Sequence, residues 1–268
     1  MTDTDRPDER PRLVRGAASA WIAEPTGAAA LLLAAGAALI VGLVVADVQA
    51  VLRLDHAVAT HLHAAALENP GLTRTSRIVT DWVVDPWTMR LLLAGAVVWL
   101  WQRRQRLIAL WAACTSAAEW ALRSVLRWAV GRDRPEWERP VDSAEFAAMP
   151  SGHAMTAAAT CVLLLWLARA TGLPTGPVRL GTVLAVAAVA AACFTRIFLG
   201  VHWLTDTLAG TLLGTALAAG AAATWSTVSP CSRKAARTGS APSADGPGQG
   251  LPRRRSDRDR KGTSGSDI

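Results

Sequence analysis

The sequence predicts an all-α protein: a bundle of six membrane-spanning helices with a basic tail behind it. Three observations carry that expectation. The hydrophobic residues, 51% of the chain, fall in long blocks rather than being spread as one soluble core would spread them. A bilayer-crossing helix needs about 20 mainly apolar residues, and Gly27 to Ala46 has that length without a charge. The charged residues gather between the blocks, where Arg and Lys set the orientation of a membrane protein.

Residues 1–26, rich in Arg, Asp and Pro, form an N-terminal segment expected to be disordered or interfacial. Val48-Gln49-Ala50 is similar to a signal-peptide cleavage site. The apolar run before it exceeds the usual core of about 7–15 residues, so the first block is read as a retained helix. From Val51 to Arg77 apolar residues alternate with His and Arg, too polar to span, which predicts an amphipathic helix along the surface. A second block, Ile78 to Trp101, is interrupted by Asp81, Asp85, Pro86 and Arg90, so its first half must face protein or water. Asp81, Asp85, His61 and His63 are assigned to solvated positions.

The third block, Leu107 to Val130, carries Glu119, Arg123 and Arg127 four residues apart, on one helix face. Glu119 and Arg123 are expected to neutralise each other inside the bundle. Arg127, near the end of the block, is available for chemistry. The fourth block runs from Ser151 to Thr171, and a Gly- and Pro-containing turn over Gly172 to Pro177 ends it. The fifth runs from Val178 to Leu199 and the sixth from His202 to Val228, closing a membrane domain over 27–228. Residues 229–268, rich in Ser, Gly, Pro and Arg without hydrophobic period, are expected to be a disordered tail.

Six spans put both termini on one side. Arg6, Arg10, Arg12 and Arg15, the Arg103/Arg104/Arg106 loop, Arg169, Arg179 and the basic tail all fall there. The positive-inside rule makes that side the cytoplasm, and the host is expected to be a plasma membrane. The net charge of +7 is thereby accounted for as topology rather than as a nucleic-acid footprint. Cys114, Cys161, Cys193 and Cys231 lack paired metal-ligand spacing and read as small hydrophobes or tail residues.

Three clusters converge on the side away from the cytoplasm: Arg127 through Arg134-Pro135, Pro150-Ser151-Gly152-His153, and Thr195-Arg196 through His202 to Asp206. Asp206 lies one turn after His202, on the same helix face. A carboxylate that accepts from one imidazole nitrogen leaves the other lone pair free, which suits a nucleophile or a metal ligand. Arginines make charge-assisted, often bidentate contacts to phosphate oxygens, and free N–H groups at a helix start bind anions. Arg127, Arg134, Ser151, Gly152 and Arg196 therefore form a candidate phosphate cradle. In it His202, oriented by Asp206, attacks phosphorus to form a phospho-histidine. His153 protonates the leaving alkoxide and then activates water. No second set of ligands accompanies the histidines, so neither metal nor other cofactor is expected.

Together these motifs resemble the type 2 phosphatidic acid phosphatase (PAP2) superfamily, whose pattern is Lys-x6-Arg-Pro, Pro-Ser-Gly-His and Ser-Arg-x5-His-x3-Asp. The second motif is intact at Pro150–His153; Arg127 replaces the Lys of the first and Thr195 the Ser of the third. Arg is planar and bulkier than Lys, so the first departure bears on rate or substrate choice. The resemblance covers about residues 27–228. It implies a PAP2/haloperoxidase-like helical core, phosphate binding by Arg127, Arg134, Ser151, Gly152 and Arg196, an acid at His153 and a nucleophile at His202. The partners it implies are a membrane and a lipid phosphate.

Hydrolysis of a phosphatidic acid-like monoester is the first reading, and recycling of undecaprenyl diphosphate the second, on the same motifs. A vanadium haloperoxidase would use the same cradle, but those relatives are soluble. A non-catalytic transporter or scaffold is disfavoured by the intact His153, His202 and Asp206. Head-group choice and oligomeric state are not written in the sequence.

Overall fold

A computed structural model describes residues 25–229. The expectations for residues 1–24 and for the tail beyond Ser229 lie outside the described residues. Within them every regular element is helical. In chain order they are α1 (Pro25–Val45), α2 (Gln49–Glu68), α3 (Pro70–Ile78), one π-helical turn (Val79–Val83), α4 (Pro86–Gln102), α5 (Arg106–Val130), α6 (Gly152–Ala170), α7 (Thr175–Phe198) and α8 (Leu204–Val228).

Five stretches are long and apolar enough to cross a bilayer: Thr26–Val45, Pro70–Gln102, Gly152–Ala170, Thr175–Phe198 and Leu204–Val228. α5, 25 residues long, is the sixth span expected from sequence and falls short in composition alone. The cause is its inward face, where Glu119 is buried and Arg123 and Arg127 line a cavity. Its outward face is apolar, with Leu107, Leu110, Val125 and Trp128 exposed. Large hydrophobics are exposed around the rest of the bundle too, among them Leu32, Leu91, Val183 and Leu184. A protein surrounded by water rarely tolerates contiguous apolar patches of that kind.

α8 is the central helix, packed against α1 on one side and α6 on the other. The α6–α8 crossing is close because α8 presents glycines there. A Cβ added at Gly214 would lie 2.2 Å from the Met155 carbonyl oxygen, and one at Gly210 would lie 2.8 Å from that of Ser151. At the same end, the Ser151 N–H donates to the Asp206 carbonyl at 3.0 Å. The starts of α6 and α8 are thus tied side by side, which brings two sequence-distant histidine motifs to one place.

The 51–77 segment departs from expectation. It forms two helices, and α2 turns Asp55, Ala59, His63 and Ala66 into the protein rather than lying with its polar face in water. α2 packs on α7 and α8 and so roofs the end of the bundle where those helices meet. His63 is buried and stacks on Trp137, with ring centroids 4.1 Å apart. Burial lowers its pKa below the ordinary imidazole value. His61 and Asp81 are exposed as expected, whereas Asp85 is half-buried and caps α4 by accepting from the N–H groups of Trp87 and Thr88.

Candidate active site

A cavity of about 880 Å³ opens between α4, α5 and the ends of α6 and α7. Arg127, Arg134, Gly152, His153, Arg196 and His202 line it, so six of the eight residues singled out from sequence share one wall. Asp206 and Ser151 stand immediately behind, both fully buried.

His202 sits in the link before α8. Gly200 makes this link possible: its φ is +74°, and a Cβ there would lie 2.6 Å from Trp137 Nε1 and 2.8 Å from His63 Nδ1. Trp137 Nε1 in turn donates to the Gly200 carbonyl at 2.8 Å. The His202 ring is 1% exposed. Its Nδ1 lies 3.3 Å from Asp206 Oδ2, and its Nε2 lies 3.3 Å from Arg134 Nη1. A guanidinium nitrogen can only donate, so the Nε2 contact requires a lone pair there. The proton then belongs on Nδ1, donated to Asp206. Burial first, and then Arg134, Arg196 and Arg127, push the His202 pKa well below the ordinary value, so the ring is neutral at physiological pH.

Asp206 is itself held from two directions. Oδ2 also accepts the Trp203 N–H at 2.9 Å, a helix N-terminal contact. Oδ1 accepts from Arg132 Nη1 at 2.7 Å, and the other prong, Nη2, reaches Asp55 Oδ2 at 2.7 Å. Asp55 accepts from the backbone N–H and the hydroxyl of Thr205 at 2.9 and 2.6 Å. The result is a chain, Asp55–Arg132–Asp206–His202, with one cation between two carboxylates that are both inaccessible. Sequence reasoning missed Asp55, Arg132 and Thr205. The one signal on the page was that Asp55 shares its helix stripe with Ala59 and Ala66, small residues suited to close packing, and not with Arg53.

The cations differ in how committed they are. Arg134 spends N–H groups on the carbonyls of Phe146, Glu145 and Val201, clamping the 131–151 loop over His202. Burial, then repulsion by Arg196, lower its pKa to about 10, still charged at neutral pH. Arg127 Nε donates to the Pro150 carbonyl at 3.3 Å. Arg196 is buried, with Nη1 3.5 Å from both Asp142 and Thr80 and its Nε without a partner. Ser151 Oγ likewise has none. Buried donors left unmade are costly unless a ligand visits. A Cβ at Gly152 would meet Arg123 Nη1 at 2.6 Å and Arg127 Nη2 at 2.9 Å, so only glycine lets both guanidiniums close on the α6 N-terminus. His153, in the first turn of α6, has Nε2 4.0 Å from Asp85 Oδ1. Thr195, by contrast, turns its hydroxyl back to the Ala191 carbonyl of its own helix.

One expectation is corrected here. Glu119 pairs with Arg90 at 3.4 Å and accepts from Thr156 Oγ1 at 3.1 Å, not with Arg123, which lines the cavity. Arg90 comes from α4 and reaches Glu119 before its own helix neighbour can.

The PAP2 superfamily model matches residues 107–229, the stretch holding all three motifs. Over that stretch, a little under half of its length, the chain resembles the PAP2 superfamily. It is similar to the decaprenylphosphoryl-5-phosphoribose phosphatase of Mycobacterium tuberculosis, known from two strains, with 29% identity over 177 residues, covering 62% of this chain and 88% of that protein. Its fold matches the crystal structure of a transmembrane PAP2-type phosphatidylglycerolphosphate phosphatase from Bacillus subtilis with a TM-score of 0.63. That match is 21% identical and covers 70% of this chain and 92% of that one. The stretch similar to PAP2 membrane phosphatases is the one that carries the cavity just described, at its motif-bearing end.

Proposed function

We propose that this chain is a PAP2-type phosphatase, which hydrolyses a lipid phosphate monoester of the phosphatidic acid type through a phospho-histidine on His202, without a metal. The observation that carries the reading is the orientation of the imidazole. Asp206 accepts the hydrogen bond from Nδ1–H, and the Nε2 lone pair points at a wall of guanidiniums in a largely apolar cavity. Nε2 attacks phosphorus while the bond from phosphorus to the ester oxygen breaks, and His153 gives that oxygen its proton. Arg127, Arg134, Arg196 and the unpartnered Ser151 hydroxyl stabilise charge on the three equatorial oxygens, while Asp206 offsets the positive imidazole. Water then attacks the phospho-histidine, His153 takes its proton, and the P–N bond breaks to release inorganic phosphate. The relatives' names, which specify a decaprenyl-linked and a glycerol-linked phosphate, support a lipid phosphate as the class.

By the distribution of basic loops, the site faces away from the cytoplasm of a plasma membrane whose inner side holds both termini. A reporter fused after Ser229 is cytoplasmic on this reading, and an external signal would invert it. The chemistry is tested with purified protein in detergent, measuring phosphate release from phosphatidic acid and undecaprenyl diphosphate with and without EDTA. Turnover persists in EDTA, and His202→Ala loses both turnover and radiolabelled phospho-enzyme. Loss of activity on chelation, or near-normal turnover by His202→Ala, refutes the mechanism.

A further inference from the structure

Asp85 lines the active-site cavity, yet neither the phosphate cradle nor the chain behind His202 uses it. Its place is set by a break in the helical run. Pro86 disfavours a helical residue before it and has no N–H to give. The π-helical turn therefore ends at Val83, and α4 restarts at Pro86 with Asp85 as its N-cap. The two carboxylate oxygens then have different surroundings. Oδ2 accepts the N–H groups of Trp87 and Thr88 at 2.6 and 3.3 Å, which holds the group in place. Oδ1 makes no hydrogen bond among the described residues and lies 4.0 Å from Nε2 of His153, within ion-pair range. Asn and Ser cap a helix about as well as Asp, so capping alone does not call for a charge at the wall of this cavity.

We propose that Asp85 is a positioning residue for His153: Oδ1 holds the Nε2 proton and leaves Nδ1 to exchange protons with the substrate and water. The proposal rests on the phosphatase reading above and deepens it by giving the acid a carboxylate of its own. The need is electrostatic. His153 must be positive to act as an acid, in a cavity that Arg127 and Arg196 also line, and like charges repel that form. A fixed anion beside Nε2 offsets them. As the bond from phosphorus to the ester oxygen breaks, the Nδ1 proton moves to that oxygen and His153 becomes neutral. When water attacks the phospho-histidine, Nδ1 takes a proton from it, the P–N bond breaks and the imidazolium is restored. Asp85 stays ionised throughout and exchanges no proton. The pair mirrors His202 and Asp206, where the carboxylate faces Nδ1 and Nε2 reacts. Catalytic hydrogen bonds often tighten only in the substrate complex, so a separation of 4.0 Å is compatible with the role.

The test uses the full chain in detergent and two esters. Phosphatidic acid has an alkoxide that leaves poorly without a proton, whereas p-nitrophenyl phosphate has a phenolate that leaves without one. The reading is kcat/KM, which covers only the steps through departure of the leaving group. Asp85→Asn keeps the cap and removes the charge. Its kcat/KM falls at least about tenfold more on phosphatidic acid than on p-nitrophenyl phosphate, a part of the roughly 10²–10⁴ typical of acid–base help. Asp85→Ser, which also caps, changes the ratio in the same way, so a folding defect in one variant does not decide the matter. In a His153→Gln background Asp85→Asn has less than about a twofold further effect, because the two residues act as a unit. An equal fall on both esters places Asp85 behind Arg196, the cation whose charge it also faces, and overturns the proposal. No fall on either ester, or full additivity with His153→Gln, overturns it as well. A wild-type protein that cleaves neither ester overturns the phosphatase reading instead. The pairing is then judged by nitrogen NMR of the His153 ring, assigned by loss of its signals in His153→Gln. The Nε2 signal must differ between wild type and Asp85→Asn, and identical spectra overturn the pairing.

Discussion

Replacing Arg132 by Leu tests whether the buried chain behind His202 governs catalysis. Arg132 makes three charge-assisted contacts, to Asp206, Asp55 and Thr205, at 2.7, 2.7 and 2.8 Å. Its removal leaves two inaccessible carboxylates without a cation. Removing one partner of a buried pair typically costs about 3–5 kcal/mol, because the remaining charge is uncompensated. For a protein of this size that corresponds to a drop in Tm on the order of 10 °C. The Trp203 N–H still holds Asp206 Oδ2, so the carboxylate is loosened rather than released, and His202 loses its fixed orientation. Misplacing a reacting group by about 1 Å costs on the order of 10²-fold in rate, and kcat is expected to fall by that amount. KM should change little, since Arg132 does not line the cavity. Arg132→Lys is the control: one ammonium cannot hold both carboxylates as a fork does, so rescue of Tm exceeds rescue of kcat. Thermal unfolding followed by tryptophan fluorescence and phosphate release from detergent micelles provide the two readings. Wild-type Tm and kcat in Arg132→Leu refute the reasoning, and a loss confined to KM shows that Arg132 touches substrate instead.

Two other outcomes follow from the same geometry. Gly214→Ala drives a Cβ to 2.2 Å from the Met155 carbonyl oxygen, a backbone atom that can move only with α6. Overpacking costs about 1–3 kcal/mol, so Tm falls and kcat falls with it, because the same crossing sets His153 beside His202; an unchanged melting curve contradicts the close crossing. The second concerns pH. Arg134, Arg196, Arg127 and His153 face His202 from the loop, α7, α5 and α6, with Asp206 on α8 opposing them. Its folded pKa is depressed, so below about pH 6.5 the unfolded chain binds a proton that the folded ring refuses. Stability contributed by this group is therefore full above the unfolded value and lost as pH falls, at up to about 1.4 kcal/mol per pH unit. Tm should decline from pH 7 to pH 5, less steeply in His202→Asn, and the acid limb of kcat/KM should lie below the ordinary imidazole value. An acid limb at about pH 6.5 refutes the depressed pKa.

Much of the site was legible because its residues act through local spacing. His202 and Asp206 are one turn apart, and the Arg127 and Arg196 positions are fixed by helices that each end at the same level of the bundle. The cavity accordingly contains six of the expected eight, with the other two directly behind. The misses share one cause. Asp55 meets Arg132 across 77 positions, and hydrophobic periodicity says which face of α2 is polar, not what covers it. The Glu119–Arg123 pairing failed for the same reason: two helix neighbours can always meet, but Arg90 of α4 offered Glu119 a cation from outside its helix.

By itself the sequence determined an all-α membrane bundle and the residue types of a candidate phosphate site. Those depend on block length, charge placement and short-range spacing, which the chain carries wherever it folds. The tertiary structure alone decided which lone pair of His202 is free and which arginines are spent on backbone carbonyls. These are matters of partnership, and a donor's partner is chosen by whatever the fold brings within about 3 Å of it.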